Sequence, residues 1–84
     1  MPTEPDITRW LISAIAKETE VDPASIDPDK SAHVLGIDSA VMVSLIFDLE
    51  DKYGVRVNPD SFFQQPSLRE FSRHLVEQIE SSSP

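Results

Sequence analysis

The sequence predicts an all-α fold, a small bundle of three main helices and one short helix. Apolar residues recur every three or four positions in three separate segments, which is the period of an α-helix. Residues that favour helix starts and ends stand beside these segments, and we find no convincing strand. With 84 residues and no cysteine, the chain fits one domain, 1–84, without disulfides, with a core over about 5–80 and a disordered tail over 81–84.

The first helix is predicted from about Pro5 to Lys17. Its apolar stripe consists of Ile7, Leu11 and Ile15, with Trp10 and Ala14 beside them. Thr3 or Asp6 can cap its start, because either side chain can accept a hydrogen bond from a backbone N–H group of the first turn. We therefore expect one face of this helix against the core.

A long irregular stretch follows, from Thr19 to Asp38. Pro23 and Pro28 disfavour a continued helix, and several Asp and Ser residues favour turns. The apolar residues expected to anchor this stretch are Val21, Ile26, Val34, Leu35 and Ile37. A loop of this length in a small domain is usually functional or pinned to the core.

The central helix is predicted over Ser39–Tyr53. Asp38 suits the N-cap position, since its carboxylate can accept the free N–H groups of the first turn. Ile37 and Met42 have the spacing of a hydrophobic staple across this start. Gly54 suits the left-handed conformation that commonly ends a helix.

Two further helices complete the bundle. Asn58-Pro59 predicts a short helix through Phe62-Phe63, with the asparagine as cap and the proline as first helical residue. Pro66 ends that helix, and Ser67–Glu70 has the pattern of a capping box that opens the last one. The stripe expected to be buried on the last helix is Leu68, Phe71, Leu75 and Ile79. Val55–Val57 is too short to anchor a sheet.

A helical projection gives the central helix a second stripe beside its core face. The core face holds Met42, Ile46, Leu49 and Tyr53, flanked by Val43 and Leu45. The second stripe holds Ala40, Ser44, Phe47 and Asp51, with Val41 and Asp48 next to it. An apolar centre at Phe47 with carboxylates at its rim favours a docking surface. The alternative is that Phe47 packs beneath the long loop as ordinary core.

Charge and composition exclude several classes of function. The formal net charge of −8 disfavours nucleic acid, whose phosphates it would repel, and favours partners with basic patches. The segment Met1–Ile7 lacks the apolar core of a signal peptide, and no segment approaches transmembrane length. We expect a cytoplasmic protein, a monomer without a membrane span.

Ser39 stands where the long loop meets the capped start of the central helix. Free backbone N–H groups and the positive end of the helix dipole favour a phosphate at such a position. His33 and His74 are the only histidines, and no Ser-His-acid spacing suggests that either activates Ser39. A hydrolase is therefore disfavoured, and by position alone Ser39 could also be a simple cap-region serine.

The segment Leu35-Gly36-Ile37-Asp38-Ser39 resembles the signature of the acyl and peptidyl carrier proteins: Gly, any residue, Asp, Ser, then an apolar residue. The loop before it, the helix after it and the chain length resemble the same family, from about Ile7 to Ile79. The resemblance implies that a transferase moves a 4′-phosphopantetheine arm from coenzyme A onto Ser39, and that the arm holds an acyl or aminoacyl group as a thioester. It also implies a carrier that does no catalysis.

Further features resemble one branch of that family. Phe62–Phe71 is similar to a segment of polyketide and nonribosomal peptide carriers, and Val41 and Ser44 stand where fatty-acid carriers are often acidic. Specialised biosynthesis is therefore implied, and Met1 favours a free-standing carrier over a domain of a larger synthase. Ala40 departs from the pattern, because the family usually has a larger apolar residue there, and we expect altered transferase or partner recognition.

The same resemblance implies partners and additional site residues. The partners are a phosphopantetheinyl transferase, an acyl- or aminoacyl-loading enzyme, and ketosynthase, condensation or tailoring enzymes. Asp38 and Gly36 belong to the attachment site, where Gly36 lets the loop approach closely. The residues expected to meet partners are Ile37, Ala40, Val41, Ser44, Phe47, Asp48 and Asp51, and Ile37 also anchors the loop.

Two other interpretations are open. Asp27–Ser31 offers oxygens at alternate positions of a calcium loop, with Asp38 at the twelfth position. An EF-hand loop requires glycine where this chain has Ala32, and glutamate at the twelfth position, so the match is weak. The second is a plain helical interaction module that docks through the Phe47 stripe and leaves Ser39 unmodified.

Overall fold

The computed structural model describes residues 3–82, with the backbone alone at positions 59, 63 and 82. Four α-helices follow one another: α1 Glu4–Thr19, α2 Ser39–Tyr53, α3 Pro59–Gln64 and α4 Leu68–Ser82. A short 3₁₀ helix, Pro23–Ser25, lies in the loop between α1 and α2. Residues 3–82 contain no strand. The predicted bundle of three main helices and one short helix is confirmed.

Helix α1 begins with a capping box. The Asp6 N–H donates to the Thr3 hydroxyl oxygen at 3.4 Å, and the Thr3 N–H donates to the Asp6 carboxylate at 3.2 Å. Thr3 is therefore the cap and Asp6 its reciprocal partner. The helix runs two residues past the predicted end at Lys17, because the N–H of Glu20 still donates to a carbonyl of the last turn.

The long helices share one apolar core. Its best buried side chains are Ile7, Leu11 and Ile15 of α1, Leu45 and Leu49 of α2, and Leu68, Phe71 and Leu75 of α4. The rings of Phe62, from α3, and Phe71 meet edge to face with their centroids 4.8 Å apart. Ile79 is half-buried at the edge of this core. No helix within residues 3–82 is both long enough and apolar enough to cross a membrane.

Helix α4 begins at a serine cap and ends later than predicted. The Glu70 N–H donates to the Ser67 hydroxyl oxygen at 3.1 Å, while the Glu70 carboxylate binds the Arg73 guanidinium. The helix continues to Ser82, so residues 81–82 of the expected disordered tail are helical. No glycine or proline stands between Leu68 and Ser83, so nothing in this segment breaks the helix earlier. Residues 83–84 lie outside the described part of the chain.

The long loop is fastened to the start of α4. The first two N–H groups of α4 donate to the carbonyls of Lys30 and Pro28, at 3.2 and 3.0 Å. Nε of Arg69 lies 2.9 Å from the Asp29 carboxylate, and its Nη1 lies 3.5 Å from the Glu4 carboxylate on α1. The hydrogen bond and charge of Asp29 raise the pKa of Arg69. These contacts fix the loop that leads to α2.

Only part of the predicted loop anchoring is correct. Ile26 and Ile37 are buried and Leu35 is half-buried, but Val34 is 69% exposed, and Val21 is exposed as well. Successive turns over residues 32–36 place Ala32 inside and Val34 outside. A turn reverses the chain direction over a few residues, so apolar spacing alone does not indicate which side chains point inward.

Candidate functional site

Ser39 is the first residue of α2, and it is exposed. Asp38, directly before it, has an extended backbone, and its Oδ1 accepts the N–H of Val41 at 2.9 Å. Asp38 is thus the N-cap, as predicted. The first N–H groups of a helix have no carbonyl partner within the helix. In α2 the Asp38 carboxylate takes up the N–H of Val41, which leaves the N–H groups of Ser39 and Ala40 beside the Ser39 hydroxyl.

These features fit a phosphate ester on Ser39. The hydroxyl is open to solvent, so a long substituent can leave the protein surface without displacing the core. Backbone N–H groups and the positive helix end stabilise a negative group at this position. The first turn of α2 contains no acidic residue. The nearest carboxylate in sequence, that of Asp38, is already held by a backbone N–H.

The residues just before Ser39 hold the loop in place. Gly36 has φ +74°, the left-handed region in which a side chain is strained. A Cβ there would meet nothing within 4 Å, so the expected close approach is wrong, and backbone conformation is what requires glycine. Ile37 is only 4% exposed, and its N–H donates to the Ala32 carbonyl at 3.0 Å. Ile37 therefore anchors the loop, but it is too buried to belong to a docking surface.

The core face of α2 largely follows the helical projection. Met42, Leu45, Ile46 and Leu49 are buried. Tyr53 is half-buried at the end of the helix, and desolvation of its phenol raises its pKa, to which the nearby Asp6 charge adds. Val43 differs from the prediction, because it is 49% exposed. Val43 and Phe47 are four residues apart and share a helix face, so Val43 belongs beside the second stripe.

The second stripe of α2 faces solvent. Phe47 is 71% exposed, so it does not pack beneath the long loop. The exposed members of the predicted docking set are Ala40, Phe47, Asp48 and Asp51, while Val41 and Ser44 are half-buried. We call this set together with Val43 the α2 face. It combines an apolar centre with carboxylates along one side of a single helix.

One residue of the α2 face is bonded to a neighbouring helix. The Ser44 hydroxyl donates to the Glu18 carboxylate of α1 at 3.0 Å. Sequence reasoning missed Glu18, because a projection of one helix does not show what a residue 26 positions away contributes. The sequence did contain one indication that Glu18 has another role. Acidic residues are disfavoured in the last turn of a helix, where Glu18 lies.

Other residues considered from the sequence have different surroundings. His74 lines an open groove with Gly54 and Val55, at the far end of α2 from Ser39. The Asp29 carboxylate of the possible calcium loop binds Arg69, and that of Asp38 caps α2. Within residues 3–82, no group of three or more His, Cys, Asp and Glu side chains is placed to hold a metal ion.

Comparison with known proteins identifies the family. A family model described as the phosphopantetheine attachment site matches residues 9–75. The chain belongs to this family of carrier proteins. The acyl carrier protein TtuC of Teredinibacter turnerae is 32% identical over 74 residues, which cover 88% of this carrier protein and 85% of TtuC.

Two further similarities concern a larger synthase and a solved structure. One component of the phenolphthiocerol/phthiocerol polyketide synthase of Mycobacterium tuberculosis is 31% identical over 87% of this carrier protein, which spans only 4% of that component. A free-standing peptidyl carrier protein from an Acinetobacter baumannii secondary metabolic pathway superposes with a TM-score of 0.84. Its identity is 29%, over 90% of this chain and 95% of that one. The predicted family, fold and phosphopantetheine cofactor are confirmed.

Proposed function

We propose that this carrier protein holds acyl or aminoacyl intermediates as thioesters on a 4′-phosphopantetheine arm bonded to Ser39. It delivers them to partner enzymes of polyketide, nonribosomal peptide or related specialised biosynthesis. The observation that carries the proposal is the exposed Ser39 hydroxyl at the capped start of α2, inside the family's motif. The similarity to part of a polyketide synthase and to a peptidyl carrier protein supports this branch.

The chain's own residues present the attachment point. Asp38 caps α2 and so fixes the residue at which the helix begins. The Ser39 hydroxyl therefore keeps a fixed position relative to the first backbone N–H groups of the helix. Gly36 supplies the turn and Ile37 the buried anchor just before them. The bound arm supplies the thiol that the cysteine-free chain lacks.

The arrangement around Ser39 supports a carrier that does no catalysis itself. Helix α2 has 15 residues, so it is about 22 Å long at about 1.5 Å per residue. His74 lies by Gly54, at the opposite end of this helix. A general base must approach to about 3 Å of the proton it removes. His74 therefore does not activate Ser39, and in our proposal the partner enzymes supply the chemistry.

The proposed partners are a phosphopantetheinyl transferase, an enzyme that loads the arm, and ketosynthase, condensation or tailoring enzymes. They dock on the α2 face, where Phe47 gives an apolar contact and the carboxylates orient the approach. We propose that the carrier works as a cytoplasmic monomer. The net charge of −8 opposes self-association, because two copies repel each other.

The test is covalent modification of the purified chain. It is incubated with coenzyme A and a promiscuous phosphopantetheinyl transferase, and its intact mass is measured. We expect the native chain to gain one phosphopantetheine group and Ser39→Ala to gain none. Ser13→Ala is the matched control, because it removes an exposed serine hydroxyl from α1 and should gain the full mass. A native chain that stays unmodified, or a modified Ser39→Ala chain, contradicts the proposal.

A further inference from the structure

The N-terminal half of the α2 face contains little charge of its own. Between Ser39 and Phe47 the helix has no acidic residue, and its first exposed carboxylate is that of Asp48. Any enzyme that reaches the Ser39 hydroxyl must nevertheless cover this half. Ser44 lies five positions after Ser39, which is about 7.5 Å along the helix at about 1.5 Å per residue.

Helix α1 supplies a carboxylate to this half. Glu18 is exposed, and its Oε1 accepts the Ser44 hydroxyl at 3.0 Å. The hydrogen bond holds one oxygen at the edge of the α2 face. Because a carboxylate has two oxygens and about four acceptor sites, it can accept from a partner at the same time.

The position of Glu18 disfavours a purely helix-stabilising role. It stands in the last turn of α1, where the negative end of the helix dipole repels an acidic side chain. The C-cap residue Glu20 adds a second exposed carboxylate at the same helix end. Lys17, exposed in the same turn, offsets part of this charge, and the two carboxylates together with the helix end leave this end of α1 net negative.

We propose that Glu18 is part of the docking surface, where it receives a Lys or Arg side chain of the partner enzyme beside the apolar contact made by Val43 and Phe47. The occupant is a basic protein surface with an apolar recess. The charge at this end of α1 and the overall charge of −8 favour the basic side chain, and exposed Val43 and Phe47 favour the recess. A second copy of the chain would bring the same negative charge, which disfavours it as the occupant. The proposal rests on the proposed function, since it names a partner contact for the same arm.

The transferase itself is the suitable probe. It must bring its active site to the Ser39 hydroxyl before any arm exists, so it must cover the Ser44 end of the α2 face. We would measure kcat/KM for mass gain with coenzyme A and a promiscuous phosphopantetheinyl transferase, at low and at high ionic strength. Glu18→Gln keeps an oxygen that can accept the Ser44 hydroxyl and removes only the charge. Glu80→Gln is the matched control, because it removes one exposed carboxylate from α4.

Glu18→Gln should lower kcat/KM by about two- to fivefold at low salt, the size of one exposed charge pair. The difference should shrink at high salt, where such pairs are screened. Ser44→Ala, which frees the carboxylate, should show part of the loss and add little to Glu18→Gln. Glu80→Gln should stay close to the native rate.

Three outcomes would contradict the Glu18 proposal, and one of them would also contradict the carrier function. If every variant gains the arm and Glu18→Gln behaves as Glu80→Gln does at low salt, the role of Glu18 is refuted while the carrier function stands. If the native chain gains no mass, the carrier function fails and the Glu18 proposal fails with it. A loss of kcat/KM in Glu18→Gln that does not change with salt would also overturn the proposal, because it would show that the partner does not recognise the charge of Glu18.

Discussion

Phe47 and Leu49 are two residues apart on α2 and have opposite environments. Leu49 is fully buried, whereas Phe47 leaves most of its ring in water. An exposed aromatic ring gains little of the free energy that burial would give, and this is why we propose Phe47 as a docking contact. Side chains only two positions apart on one helix can therefore differ completely, one lying in the core and the other on the exposed face.

Replacing each of these side chains by alanine should separate the two roles. We expect Phe47→Ala to change the free energy of unfolding by less than about 0.5 kcal/mol, as for most surface substitutions. Leu49→Ala should cost about 2–5 kcal/mol, because it leaves a cavity in the core. Urea unfolding of both variants measures the difference. An equal loss for Phe47→Ala would mean that its ring packs within the domain after all.

At the scale of elements, a helix end can be predicted where the sequence places a capping residue. Both ends of α2 were predicted to the residue, because Asp38 and Gly54 are chemically distinct caps. The ends of α1 and α4 lie beyond their predicted or expected limits, since no single residue there stops a helix. The loop was harder still, because turns over 32–36 decide which side chains point inward.

The candidate site shows the same limit. Ser39 and its cap could be predicted from adjacent residues, which form one local motif. Glu18 could not, because its contact with Ser44 depends on how α1 packs against α2. Local sequence patterns therefore predict the proposed attachment point, whereas the residues around it depend on tertiary structure.

The capping box of α1 predicts a pH dependence. Hydrogen bonds from the side chain and backbone of Thr3 lower the pKa of Asp6 from its usual 3.8, and the charge of Arg9 adds to this. A carboxylate with a lowered folded-state pKa stabilises the fold above its unfolded pKa and loses that contribution as the pH falls through the folded value. Part of the stability present at neutral pH should therefore disappear below a pH of about 4.

Thermal unfolding from neutral pH into this acid range checks the expectation. Asp6→Asn removes the ionisable group, so its stability should fall less steeply with acid than that of the native chain. Thr3→Ala removes the hydroxyl that lies 2.9 Å from the Asp6 carboxylate. Its thermal stability should therefore also fall less steeply at low pH than that of the native chain. Parallel curves for all three chains would show that this box contributes nothing to the pH dependence.

At the scale of the whole molecule, size limits how many partners can act together. The protein measures 38 × 22 × 21 Å and has an accessible surface of 5090 Å². A standard protein interface covers about 800 Å² on each partner, roughly a sixth of that surface. A partner of this size on the α2 face would also cover the surroundings of Ser39. If the proposed partners dock on the α2 face, the enzymes that load, use and unload the arm must therefore bind in turn.

The proposed function depends on one particular oxygen, that of the Ser39 hydroxyl, carrying the arm. Tandem mass spectrometry of a digest of the transferase-treated native chain tests it most directly, because it assigns the added mass to a single residue. We expect all of the added phosphopantetheine to be found on Ser39, at the start of α2. Modification at another serine, or an unmodified Ser39 peptide after treatment with an active transferase, would contradict it.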